Sequence, residues 1–313
     1  MKSLMTLPLA LAEKHRQARA VRATHATLGL PILTKSNLVG SPSANLETLF
    51  ILGSGESVLA TTGAQWSQVS QAISVGIGAW TIHPFVPNFL ALEHIERVPD
   101  RDGIEDGETG LERSYREALE GWYLREEVQR LEPRILFFRP PSVSDVSRLL
   151  PLGNYWQGRT YLYGRVGPSS KTLSELSSEL SLYLGLARAG VIPFHLPFDT
   201  GTTLVRLVLL AALAGYRRVV LNGVDLRHSR FFWDAEPSLL HNRGMSHFFT
   251  SEVGEVHSTE VIGRFPVSEV LPMVSRALMG AFGTRLLVAH RESWLSNILP
   301  VFDWTAERPE ETT

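Results

Sequence analysis

Apolar residues fall in short runs broken by Gly, Ser, Thr and charged positions, and the spacing within the runs switches between strand and helix periods. A continuous apolar run predicts a strand over 48–53 that ends in Gly53-Ser54-Gly55-Glu56-Ser57, with a helix after Ser57. Further strands are expected at 72–76 and 80–82. Residues 97–132 turn charged and hold an amphipathic helical stretch that stops at Pro133, before a strand at 134–138. Residues 169–189 read as a Ser-capped amphipathic helix and 191–196 as a short strand. Residues 204–214 are apolar apart from Arg206 and predict a buried helix, followed by a strand ending in Asn222-Gly223-Val224-Asp225. A helix at 267–282, a strand at 284–288 and a helical turn at 293–299 close the pattern. This alternation is α/β order, with a mostly parallel, Rossmann-like sheet covered by helices on both faces.

The chain divides into three spans on this reading. Residues 1–45 form a helical arm and a loose connector, SNLVGSPSAN; residues 46–300 form the folded domain; residues 301–313 are a tail. Two excursions interrupt the domain. One covers about 97–167, including an aromatic, Pro-rich stretch assigned to a lid or acceptor-facing insertion. The other is a loop at about 226–260, longer than a simple connector needs and expected to be mobile.

Composition narrows the function classes. The 313 residues carry a formal net charge of −2, which gives no global attraction to nucleic acid, so no nucleic-acid partner is expected. There are no cysteines, which excludes disulfides, thiolate metal sites and cysteine nucleophiles and fits a reducing cytoplasm. The apolar run before Ala214 is far shorter than the roughly 20 residues that cross a bilayer. The opening residues lack the long apolar core of a secretion signal. A cytoplasmic protein is expected, with peripheral association at the inner membrane face and homo-oligomer formation both left open.

Two turns carry the candidate chemistry. Gly53, Ser54, Gly55 and Ser57 can bring backbone N–H groups close to an anion. Thr200, Gly201, Thr202 and Thr203 place hydroxyls at a helix N-terminus, where the dipole favours negative charge. Asn222, Gly223 and Asp225 end the following strand on the same sheet edge. Neither the dinucleotide GxGxxG pattern nor the phosphate-loop GxxxxGK[ST] pattern is met. After Asp225 comes a basic and aromatic mixture in which Arg227 and Trp233 stand out, and the loop beyond it holds His241, His247 and His257. The histidine spacing fits no compact metal motif, and Asp100-Arg101-Asp102 reads as a solvated loop, so no metal is expected.

G-S-G-E-S, T-G-T-T, A-G-Y-R-R-V-V-L-N-G-V-D-L and V-H-S-T, in that order, together resemble the bacterial family-42 sialyltransferases and the related motility-accessory-type transferases of nonulosonic acids. The resemblance covers most of 46–300. It implies a variant of the single-Rossmann-domain glycosyltransferase fold, a CMP-activated donor, no cofactor beyond that donor, no metal, and inverting transfer to a glycan or glycolipid acceptor. It further implies His257 as general base, with His247 in reserve. The glycine-serine turn, the threonine turn and Asn222, Gly223 and Asp225 would hold the nucleotide. Arg227 and Trp233 stand where the family has two phosphate-donating tyrosines, and Gly76 and Gly78 lie where it has an asparagine. Two other readings compete: a magnesium-dependent, pyrophosphokinase-like phosphotransferase, and a nucleotide-binding protein without catalysis.

Overall fold

The computed structural model describes residues 3–39, 47–93, 121–122, 124–138, 159–226, 230–241, 260 and 265–305. Seven strands form one sheet: β1 (Thr48–Leu52), β2 (Ile73–Ile77), β3 (Phe89–Glu93), β4 (Arg134–Phe138), β5 (Thr160–Tyr163), β6 (Arg218–Asn222) and β7 (Arg285–Val288). Every pairing is parallel and the order is β5-β4-β3-β2-β1-β6-β7. Leu49, Phe50, Ile51 and Leu52 on β1 are all buried, as expected for a strand covered on both faces.

The helices follow from caps and apolar spacing. Those of five residues or more among the described residues are α1 (Ser3–Leu28), α2 (Lys35–Val39), α3 (Gly63–Gln71), α4 (Glu126–Leu131), α5 (Leu173–Arg188), α6 (Thr203–Ala214) and α7 (Val267–Phe282). Thr62 caps α3 in a reciprocal box with Gln65. The Thr202 hydroxyl caps α6 by accepting from Val205 N, and Gly215, at φ 105°, ends that helix in the left-handed conformation. The strands run outward from β1 to β5, and the chain then returns through α6 to the other side of β1. Right-handed crossovers therefore put α3 on one face and α6 and α7 on the other.

Several expectations needed correction. Residues 80–82 are not a strand but a 3-10 turn. Gly78, at φ +60°, turns the chain straight after β2, and Trp80 folds back so closely on Gly76 that a Cβ there would lie 2.6 Å from its ring. The apolar character of this segment reflects packing against the sheet. The true third strand starts at Phe89, just after Asn88 accepts a hydrogen bond from Ser74 N. Residues 191–196 form no strand, and Pro193 within them lacks the N–H that a ladder would use. The cap of α5 is Thr172, not Ser169, whose hydroxyl instead donates to Glu179. β5 lies inside the span read as a lid. It pairs with β4 on one side, and its Leu162 exchanges backbone hydrogen bonds with residues 31–33 on the other.

The C-terminal residues 301–305 also pack on the sheet: Trp304 stacks on Phe50 at 5.6 Å and its Nε1 donates to Ala289 O. No helix among the described residues is long and apolar enough to cross a membrane.

Candidate functional site

The strand order reverses between β1 and β6, so the loops leaving their carboxyl ends diverge to opposite faces and frame a crevice, the usual ligand position in open parallel sheets. The glycine-serine turn leaves β1 there and the Gly223–Asp225 turn leaves β6. The two interlock. Gly53 N donates to Asn222 O at 2.7 Å, and Gly55 N donates to Gly223 O at 2.6 Å. A Cβ on Gly53 would come within 2.5 Å of Gly223 O, and one on Gly55 within 2.5 Å of the Asp225 carboxylate. These glycines are required by the approach of one turn to the other.

That interlock also changes what the first turn can bind. The N–H groups expected to meet a ligand anion already have partners: Ser57 N donates to Asp225 Oδ2 at 2.8 Å, and Glu56 N donates to Arg230 O at 2.8 Å. Asp225 thus fills the place of an anion at this helical end. Ser54 remains: it is half-buried, and its hydroxyl faces the Gly78 turn after β2 without a hydrogen-bond partner among the described residues. The Arg230–Glu56 pair, at 2.9 Å, closes the outer side of the corner and holds the Glu56 carboxyl below its ordinary range.

The threonine corner is organised by Asp199. This carboxylate, 2% exposed, accepts from Arg165 Nη1 at 2.6 Å, from Arg206 Nη1 at 2.9 Å and from Gly201 N at 2.8 Å. Burial pushes the Asp199 carboxyl up against the pull of Arg165, and lowers Arg206 to about 9. Two guanidinium groups thus meet at one carboxylate beside the N-terminus of α6. The buried Thr200 hydroxyl has no hydrogen-bond partner among the described residues. Guanidinium groups, a helix N-terminus and an unused hydroxyl together suit an anionic group such as phosphate.

Two residues went unnoticed in the sequence. Thr61, after the first corner, and His290, after β7, are buried and hydrogen-bonded to each other at 2.8 Å. The Asn222 side chain, fully buried, donates to the Thr61 hydroxyl at 3.0 Å, so it braces this group and does not face a ligand. Trp233 is 1% exposed and stacks on Phe231 at 4.4 Å, so its ring is used in packing. Arg227, His247 and His257 lie outside the described residues, as does the Asp100-Arg101-Asp102 segment. Beyond His257, buried Glu260 accepts from Ser268 N at 2.7 Å and from its hydroxyl at 2.6 Å, fixing the start of α7. Among the described residues no three His, Asp or Glu side chains gather as metal ligands.

Half-buried His195 and buried His290 set an acid limit. Burial, reinforced by Arg22, lowers His195 from 6.5 to about 4, and burial also lowers His290 against the opposing pull of Glu292 and Asp225. A depressed histidine means that the unfolded chain takes up the proton first. Stability is therefore complete above about 6.5 and falls as pH drops from there toward the folded values. The melting temperature is expected to decrease between pH 7 and pH 5.5, and to decrease less in His195→Gln. An equal slope in both proteins would contradict the assignment.

No family model and no curated protein matches the chain. Among solved structures it is similar to the sialyltransferase CstII from Campylobacter jejuni in complex with cytidine-5'-monophosphate, with 12% identity over 84% of this chain and 86% of that one and a TM-score of 0.42. It is similar to the monofunctional α-2,3-sialyltransferase Cst-I of the same organism, with 12% identity over 86% and 84% of the two chains and a TM-score of 0.43. It is also similar to the MAf glycosyltransferase from Magnetospirillum magneticum AMB-1, with 17% identity over 88% of this chain but 36% of that one and a TM-score of 0.40. At such identities no residue role transfers, and the site's chemistry rests on this chain's own side chains.

Proposed function

We propose that this protein is a glycosyltransferase that binds a nucleotide-activated donor in the crevice between β1 and β6 and passes its sugar to a glycan or glycolipid acceptor. The observation that carries the reading is the reversal of strand order at β1 and β6, with a glycine corner on each strand end. The motif resemblance makes the donor CMP-linked and the sugar a sialic acid or related ketosugar. The threonine corner is the phosphate site in this reading, because the Arg165 and Arg206 guanidinium groups lie beside the N-terminus of α6 and the buried Thr200 hydroxyl is unused among the described residues.

In the inverting step the acceptor hydroxyl oxygen attacks the anomeric carbon while the bond from that carbon to the phosphate oxygen breaks. A base takes the hydroxyl proton, and CMP leaves with the bonding electrons. His257 is the base in this reading, with His247 in reserve. The cationic corner balances the charge that grows on the phosphate, and no metal or further cofactor is needed.

The test is release of CMP from CMP-sialic acid, with melting temperature measured alongside. CMP is expected to raise the melting temperature through preferential binding to the folded state. Turnover should survive EDTA, and His257→Ala should lower it about 100-fold or more. Turnover abolished by EDTA would favour the magnesium-dependent phosphotransferase. Stabilisation by CMP without turnover of any CMP-ketosugar would favour a binding protein, and absence of any nucleotide effect would end the proposal.

A further inference from the structure

Thr61, Asn222 and His290 meet beside the crevice, each supplied by a different strand end. Thr61 closes the 3-10 turn Glu56–Ala60 that follows β1, Asn222 ends β6, and His290 follows β7. Each is 7% exposed or less. The Thr61 hydroxyl oxygen lies 3.0 Å from Asn222 Nδ2, 2.8 Å from His290 Nε2 and 3.3 Å from Asn222 Oδ1. It accepts from the amide N–H and has one proton of its own to give, and the imidazole nitrogen is the nearer acceptor. The relay therefore runs from Asn222 through Thr61 to His290, with the ring proton on Nδ1. It holds only while Nε2 is bare. Among the described residues, the charged groups that face the ring are Glu292 from its own turn and Asp225 from the turn after β6. Both favour a proton, but burial outweighs them and keeps the ring neutral near pH 7.

The segment that this relay fixes is the one that lines the crevice. It is tied at Gly53 N to Asn222 O, at Ser57 N to Asp225 and at Thr61 to the relay, with Ser54 between the first two ties. Ser293, in the segment after His290, steadies the other crevice turn by donating to Val224 O at 3.0 Å. A proton on His290 Nε2 aims an N–H at the Thr61 oxygen and drives the hydroxyl proton toward the more distant Asn222 Oδ1, so the tie at Thr61 loosens. We infer that His290 is a positioning residue, which in its neutral form holds Ser54 and the glycine corner in register for the nucleotide and on protonation releases them. The inference rests on the nucleotide-binding reading of the crevice and makes that site weaken in acid. It gives His290 no contact with donor or acceptor.

The experiment is nitrogen-15 NMR of the imidazoles of the full chain across the acid-to-neutral range, with and without CMP, the His290 signals being assigned through their contact with Thr61. In the neutral ring the proton is expected on Nδ1. The protonated form should bind CMP roughly ten-fold more weakly, the worth of one hydrogen bond, so by reciprocity CMP should lower the pH midpoint of His290 by about one pH unit. CMP titrations of two variants accompany this. His290→Gln keeps an acceptor for Thr61 and should match the parent at neutral pH. In acid it should lose only the affinity that protonation of the CMP phosphate removes, while the parent loses more. His290→Leu supplies no acceptor and should bind roughly ten-fold more weakly already at neutral pH. A neutral ring protonated on Nε2, a His290 midpoint unmoved by CMP, or parallel pH profiles of the parent and His290→Gln would overturn the inference and leave the nucleotide site standing. Absence of CMP binding at every pH would instead remove the nucleotide reading, and this inference with it.

Discussion

Gly223→Ala is expected to destabilise the protein by about 3 kcal/mol or more, the sum of left-handed backbone strain and overpacking at a site that cannot relax. Gly223 sits at φ +70°, and a Cβ there would lie 2.4 Å from Gly53 O and 2.9 Å from the Val58 Cβ. The backbone on the other side is held by the Gly55 N–Gly223 O hydrogen bond, so neither turn can retreat without losing ladder contacts. Gly280 gives the contrast: it lies inside α7, and a Cβ there meets nothing within 4 Å. Gly280→Ala should stabilise by about 0.5–1 kcal/mol, since the helix gains propensity without a clash. Denaturant midpoints of the two variants, read against the parent, decide the matter. Similar small effects at both positions would mean that the two crevice turns are not interlocked.

Asp199→Ala is the second large effect, with an expected cost of about 3–5 kcal/mol, because it takes the shared carboxylate away from Arg165 and the buried Arg206. Arg206 is 1% exposed and relies on Asp199 Oδ1 at 2.9 Å. Arg206→Met should cost much less, since Asp199 keeps Arg165 at 2.6 Å and the methionine fills the apolar surroundings of α6. Denaturant unfolding of both variants measures the difference. A smaller loss for Asp199→Ala than for Arg206→Met would show that the cluster is not built around the carboxylate.

Much of the sheet was legible because parallel strands buried on both faces are continuous apolar runs closed by glycine. Residues 48–52 and 218–222 are of this kind, and their apolar runs mark both strands and the turns beyond them. Residues 80–82 have the same local signature but owe it to a tryptophan folded back on the sheet, a difference that only the turn at Gly78 reveals. β5 was missed because it is a four-residue edge strand within an aromatic stretch, and its partner at 31–33 is distant in sequence. At the site, Arg206 within an apolar helix signalled a buried counter-charge, and Asp199 supplies it. Nothing local marked His290 or Thr61, which meet across 229 positions of sequence. Spacing alone leaves the first corner open to an anion, because it does not show that Asp225 already occupies it.

The central claim is that the two strand-end corners and the threonine corner hold one nucleotide. A crystal structure of the protein grown with CMP tests it most directly. The account predicts the phosphate within hydrogen-bond distance of the Thr200 hydroxyl and the N-terminus of α6, with the nucleoside lying across Ser54 in the crevice between β1 and β6. CMP bound on another face of the sheet, or Thr200 and Ser54 too far apart for one nucleotide to reach both, would contradict it.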